Sequence, residues 1–280
     1  MLRTGVFVDA ANITLNGGWG MDYGVLRTFA ERGAAVGLRF NTYIAYDKDR
    51  ADVDPEYRKK THLYQNTLRK KGWKVTLKEV RRYTDENGQT VTKANADLDL
   101  AVDALLQSEG LDRILVATGD GDFVQVVRAI QNKGCRVEAV AFDHVSSALK
   151  AEVDVFFSGY LIPGLLPLTP PDKSGNHHED TPWGEPGSRV RGYCNIWFDD
   201  KGYGFLHVLT KIDEHTWQTD PQNADSPYCG VYCHNSELAS NITTSDLSNR
   251  DTIFELTLEK SDREGSAPFR ARDVRRIGRS

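Results

Sequence analysis

The run Gly5-Val6-Phe7-Val8-Asp9 constrains the fold more than any other stretch. Small and apolar residues lead straight into a carboxylate, followed by Ala10-Ala11-Asn12 and a polar loop through Gly17, Gly18 and Gly20. A short apolar run bounded by turn residues reads as a buried strand. Open α/β sheets gather their ligands outside the carboxyl ends of such strands, so Asp9 stands where a site would form.

The rest of the first half alternates helix and strand. Asp22 is placed to cap a helix through Leu26, Phe29 and Ala30 that stops at Gly33. Residues 38–46 read as a strand and the charged residues 47–54 as a loop. Pro55 suits the first turn of a helix with Tyr57, Thr61, Tyr64 and Leu68 on one face. Residues 73–83 read as a strand, followed by a tight turn at Asn87-Gly88. Residues 96–106 read as an amphipathic helix with Leu98, Ala101, Val102, Leu105 and Leu106 as its apolar stripe. That phase puts Asp97 and Asp99 at the two edges of the stripe and turns Asp103 towards solvent. Further strands over 113–118 and 135–142, with helices between and after them, predict a mostly parallel sheet covered on both faces.

From Pro163 the texture changes. Pro163, Pro167, Pro170, Pro171, Pro182 and Pro186 surround Gly175-Asn176-His177-His178, which reads as a linker over 163–187 between domains at 1–162 and 188–280. His177-His178 reads as a polar pair within it. Beyond Arg189, five short strands at 190–198, 203–209, 229–234, 252–259 and 269–276 suit a small closed barrel.

Asp9, Asp97, Asp120 and Asp122 come from a strand end, a helix start and the turn Thr118-Gly119-Asp120-Gly121-Asp122. Carboxylates packed together resist ionising, and a hard divalent cation such as Mg²⁺ or Mn²⁺ relieves that repulsion. Such an ion suits phosphodiester hydrolysis. Asn12 can ligate it, fix a water beside it or touch phosphate, and Thr118 can position that water. Each acid also has a purely structural reading, because Asp at a helix start accepts backbone N–H bonds and favours the dipole.

Phe7-Val8-Asp9-Ala10-Ala11-Asn12, the stretch from Lys93 to Asp103, and Ala117-Thr118-Gly119-Asp120-Gly121-Asp122-Phe123 resemble, in order, the three signatures of the NYN domain in its LabA-like branch. The resemblance implies a PIN-like α/β fold, divalent-metal-dependent ribonuclease chemistry and, in many members, homodimers through this domain. It implies Asp9, Asp97 and Asp120 as metal ligands, with Asn12 and Asp122 in catalytic support. Asp99 and Asp103 stand beside them without a settled role. Some family members are regulators, which keeps a non-catalytic reading open.

Gly192 to Phe198, Lys201-Gly202-Tyr203-Gly204-Phe205-Leu206, Val231-Tyr232-Cys233-His234 and Ala271 to Val274 resemble a cold-shock domain, an OB-type barrel for single-stranded RNA or DNA. It implies Trp197, Lys201, Tyr203, Phe205, Tyr232 and His234 as nucleic-acid contacts. Asn235 replaces a usual aromatic, and residues 210–227, with Trp217, lengthen a minimal turn.

The formal net charge of -5 argues against a polycationic binder, so affinity in the barrel is expected to rest on stacking more than on counterion release. The basic clusters at 58–60, 69–71 and 78–82, with Lys70, Lys78 and Arg81 among them, form a candidate phosphate track or a solvated face. Four cysteines match neither a disulfide scaffold nor a common zinc spacing. Without a leader or a long apolar segment, the expectation is a cytoplasmic protein with no membrane partner. The chain thus reads as a metal-dependent endoribonuclease whose barrel captures single-stranded RNA, with single-stranded DNA also open. The alternative is a non-catalytic RNA-binding regulator with a relict acidic pocket.

Overall fold

The computed structural model describes residues 1–84, 90–93, 96–168, 181–261 and 267–278, and only the backbone of 81–84 and 90–93. The chain divides into two compact units, Met1–Phe157 and Ser158–Ser280. The expected turn at Asn87-Gly88 and the His177-His178 pair lie outside the described residues.

In the first unit the chain runs β1 (Arg3–Asp9), α1 (Ala10–Leu15), α2 (Tyr23–Ala30), β2 (Val36–Tyr46), α3 (Lys48–Val53), α4 (Pro55–Lys70) and β3 (Lys74–Glu79). It continues through β4 (Arg81–Thr84), β5 (Thr90–Lys93), α5 (Ala96–Gln107), β6 (Arg113–Ala117), α6 (Val124–Gln131), β7 (Arg136–Ala141), α7 (Ser147–Glu152) and β8 (Val155–Ser158). Six strands form one sheet in the order β3-β2-β1-β6-β7-β8. The pairs β1–β2, β2–β3, β1–β6 and β6–β7 are parallel. The chain winds outward from β1 to β3, then returns to β6 on the other side. The sheet therefore has its topological switch point between β1 and β6, the crevice where such folds bind ligands.

Successive strand residues point to opposite faces, and two neighbours in β2 show which helices lie where. The Thr42 hydroxyl faces Tyr23 of α2, whose phenol meets that of Tyr64 on α4 at 2.8 Å. Tyr43 donates to Asp103 of α5 at 2.8 Å. Hence α2 and α4 cover one face and α5 the other, where Leu100 and Ala104 pack with Val127 and Ile130 of α6 in the core.

Three expectations change. Residues 10–15 and 48–53 are short helices, each begun by an aspartate side chain: Asp9 accepts from the Asn12 N–H and Asp47 from the Arg50 N–H, both at 3.0 Å. The strand expected over 73–83 breaks at Val80, and β4 leaves the main sheet to pair with β5. Finally, α5 is rotated from its expected phase. Ala96, Leu100 and Ala104 are buried, while Leu98 is 59% and Leu106 65% exposed. Polar partners on the sheet explain the rotation. Lys78 takes Asp99 at 2.9 Å, Tyr43 takes Asp103, and Asn41 donates to Gln107 at 3.1 Å, so that edge of the helix turns inward. Apolar periodicity alone does not register such partners.

The second unit is a closed barrel of β9 (Arg189–Phe198), β10 (Tyr203–Leu209), β11 (Tyr228–His234), β12 (Ile253–Lys260) and β13 (Phe269–Ile277), in the order β10-β11-β13-β12-β9. The β11–β13 pair is parallel and the other pairings are antiparallel, which is consistent with an OB-like barrel. Val190, Leu206, Val208, Val231, Phe254 and Leu256 fill the interior. A short helix, α8 (Thr244–Ser248), adds Leu247 to that core. Parts of the stretch expected as linker belong to this unit. Leu165 and Leu166 are buried, and the Trp183 indole donates to the Leu209 carbonyl at 2.7 Å. Among the described residues no helix is long and apolar enough to cross a membrane.

Candidate functional site

Asp9 ends β1 and is 3% exposed. Asn12, one turn on, accepts a hydrogen bond from the Gly119 N–H through its side-chain oxygen at 2.9 Å, tying the end of β1 to the loop after β6 across the switch point. In that loop the Asp120 N–H donates to the Thr118 hydroxyl at 3.3 Å, and Asp120 Oδ1 accepts from the Asp122 N–H at 3.0 Å. Asp9 and Asp120 thus act as caps, as their structural reading requires. Capping and ligation are compatible, because a carboxylate offers about four lone-pair sites.

The electrostatics separate these acids from ordinary caps. Burial, opposed by the Asn12 and Ala11 N–H groups and reinforced by Asp97 and Asp120, pushes the Asp9 carboxyl up to about 6. Asp97, at the start of α5, is raised first by partial burial and then by Asp120 and Asp122. Asp9 therefore feels Asp97 and Asp120, Asp97 feels Asp120 and Asp122, and none of the four has a Lys or Arg ion-pair partner among the described residues. Hard oxygen donors in a negative field suit Mg²⁺ or Mn²⁺ chemically. Among the described residues, however, no three His, Cys, Asp or Glu side chains converge closely enough to form a finished metal cage.

The other acids of α5 are engaged elsewhere. Asp99 is paired with Lys78, and Asp103 meets the Tyr43 hydroxyl at 2.8 Å and Lys74 at 3.7 Å, so Asp103 faces the sheet rather than solvent. Several bases of the expected phosphate track are engaged too: Lys78 by Asp99, Lys71 by Asp22 at 2.9 Å and Lys60 by Glu56 at 3.9 Å. Lys70 is exposed at the end of α4. The Arg81 side chain lies outside the described residues.

On the outer surface of the barrel, Tyr203 and Phe205 of β10 sit beside Tyr232 of β11, with ring centroids 5.5 to 6.1 Å apart. Phe198 joins Tyr203 at 5.3 Å, and the Lys201 ammonium stands 5.5 Å from the Phe198 ring. His234 is exposed at the end of β11, with Nδ1 engaged by Ser236. Trp197 lies opposite Gly204 and packs against the barrel core; a Cβ on Gly204 would strike its ring. The β9 residue in the ring cluster is therefore Phe198, which the sequence reading did not single out. Strand alternation from Tyr203 across the pair Tyr203–Phe198 is the signal that identifies it. Asn235 donates its N–H to the Gly202 carbonyl at 2.8 Å, closing the β10–β11 end of this surface.

Residues 210–227 fold back on the barrel. Thr210 bonds the Pro227 carbonyl, and Thr219 hydrogen-bonds Tyr193 and His207 on the outer side of β9 and β10. Trp217, 52% exposed, rides on this segment.

The family profile described as the NYN domain matches residues 3–165. No curated protein matches the chain. A crystal structure of a protein of unknown function from Vibrio parahaemolyticus aligns at 23% identity with a TM-score of 0.44, covering 55% of this chain and 91% of that one.

Proposed function

Because the chain belongs to the NYN domain family, a PIN-like nuclease family, we propose that it is a divalent-metal-dependent endoribonuclease whose barrel captures single-stranded RNA. The observation that carries the reading is the group of Asp9, Asp97, Asp120 and Asp122 at the switch point, in which the neighbouring acids add to burial in raising the proton affinity of Asp9 and Asp97 and no cationic partner is described. Asp9, Asp97 and Asp120 are the residues that would hold the ion. When bound, Mg²⁺ or Mn²⁺ would activate water and stabilise charge on the departing oxygen. Asn12 holds the Asp120 loop against the end of β1, so the acids keep one spacing. Thr118 fixes the Asp120 backbone, and Asp122 adds negative charge at the mouth.

The barrel contributes sequence-tolerant binding. The cluster of Phe198, Tyr203, Phe205 and Tyr232, flanked by Lys201 and His234, offers ring faces for unpaired bases, as in a cold-shock domain. Single-stranded DNA fits the same stacking chemistry. The lack of a finished three-ligand cage among the described residues favours a second reading, an RNA-binding regulator that does not cut.

Cleavage of a labelled single-stranded RNA in Mn²⁺, Mg²⁺ or EDTA, by the parent protein and by Asp97→Asn, separates the two. Cleavage lost with EDTA and with the substitution, while binding persists, supports the nuclease. Binding without cleavage in either metal supports the regulator, and equal residual cleavage by both proteins refutes Asp97 as a ligand.

A further inference from the structure

A second site lies at the carboxyl rim of the same sheet, on the α4 face. Tyr46, Pro55, Arg58, Lys59, His62, Gln65 and Leu77 line an open cleft of about 650 Å³. Its floor combines the last residue of β2 with Leu77 of β3, and α4 forms its wall. The Tyr46 ring is stacked on Tyr57, with centroids 6.4 Å apart and planes 16° apart, which leaves one aromatic face on the cleft side. Arg58 and Lys59 are exposed and have no ion-pair partner among the described residues, unlike Lys60, Lys71, Lys74 and Lys78. Gln65 is only 5% exposed, yet its amide has no hydrogen-bond partner among the described residues. Its amide therefore stands at the wall of the open cleft, where a ligand's polar group can meet it.

We propose that this cleft is a nucleotide subsite, in which Arg58 and Lys59 hold backbone phosphates of single-stranded RNA, Gln65 hydrogen-bonds a sugar or base edge, and Tyr46 supports a base. The assignment deepens the ribonuclease reading and rests on it for the identity of the strand. Tyr43 is the register partner of Asp9, and Tyr46 lies three residues further along β2. Strand geometry therefore puts the Tyr46 backbone, at the edge of the cleft, about 11 Å from that of Asp9, within the reach of a short oligonucleotide crossing the rim. The cleft selects phosphate-bearing chains by charge and an unpaired base by its aromatic wall, so it favours single strands over a stacked duplex.

The test is fluorescence anisotropy with a labelled single-stranded RNA and the full-length protein, in EDTA across a salt series. Binding in EDTA does not depend on cleavage, so absence of nuclease activity leaves the subsite standing, and failure of the subsite leaves the nuclease standing. Losing two phosphate contacts lowers the log–log salt slope by about 1.4 and the affinity at 0.15 M salt by about tenfold. Arg58→Ala combined with Lys59→Ala is expected to show both effects. Gln65→Leu, which keeps the volume, is expected to weaken binding while leaving the slope unchanged. An unchanged slope in the double variant, full affinity in Gln65→Leu, or no binding by the parent protein overturns the proposal. Thermal melts of the two variants that match the parent assign the losses to contacts rather than unfolding.

Discussion

Replacing Asp9 with Asn should stabilise the metal-free protein, although it removes a residue placed at the centre of the site. Asn caps a helix about as well as Asp, so the bond from the Asn12 N–H survives the change. What disappears is a buried negative charge. The native carboxyl is raised from 3.8 to about 6. At about 1.4 kcal/mol per tenfold change in proton affinity, ionisation in the native state costs about 3 kcal/mol more than in the unfolded chain. Between pH 3.8 and about 6 the native state binds more protons than the unfolded one, so wild-type stability falls as pH rises through that window. Above it the penalty is complete, and below it the penalty is absent. Asp9→Asn should therefore exceed the parent by up to about 3 kcal/mol at pH 8, with the gap closing towards pH 4. For a unit of this size that is roughly 6–12 °C in melting temperature. Scanning calorimetry in EDTA at pH 4, 6 and 8 measures it on the full chain. Added Mn²⁺ should raise the parent's transition and leave the variant's nearly unchanged, because the ion stabilises only the state that binds it. A variant less stable than the parent at pH 8, or a gap independent of pH, refutes the argument that burial and neighbouring acids strain Asp9.

Tyr203→Ala or Phe205→Ala should each weaken single-stranded RNA binding by about five- to 150-fold, the equivalent of ~1–3 kcal/mol of stacking, with little change in salt slope; anisotropy measures both quantities. Glu255 is buried on β12 and accepts from Arg189 and Arg191, each at 3.0 Å, and both guanidinium groups are themselves largely buried. Glu255→Gln should leave buried Arg191 without a counter-charge, while Arg189 keeps Asp273 at 2.9 Å, and cost about 3–5 kcal/mol of barrel stability. Urea unfolding followed by tryptophan fluorescence, to which Trp183, Trp197 and Trp217 of the barrel unit contribute, reads that loss.

The architecture was largely legible because its signals are local. Apolar runs ending at Asp9 and Thr118, Asp22 before a helix and Pro55 at a helix start all describe their own segments. The five barrel strands agree with expectation to within about one residue at their ends. What escaped depends on partners distant in sequence. The rotation of α5 follows from Lys78, Tyr43 and Asn41 on the sheet, which no window over residues 96–107 contains. Phe198 and Trp197 are neighbours of similar chemistry, and only the register against Gly204 decides which one faces out. The basic clusters around α4 looked uniform, yet ion pairs engage Lys60, Lys71 and Lys78 and leave Arg58 and Lys59 beside the cleft.

The contrast among the acids of α5 strengthens the reading of the switch-point group. One helix carries Asp97, Asp99 and Asp103 within two turns. Asp99 and Asp103 receive Lys78, Lys74 and a tyrosine hydroxyl. Asp97 instead faces Asp120 and Asp122, and through them shares a field with buried Asp9. A lysine reaching that point would cancel the repulsion at little structural cost, as Lys78 does for Asp99. A lysine there would compete with a divalent cation for the same oxygens. On the proposed nuclease reading, the cost of the unneutralised Asp9 carboxylate would be recovered on ion binding, so the residue that weakens the empty protein would also be the one that holds the metal.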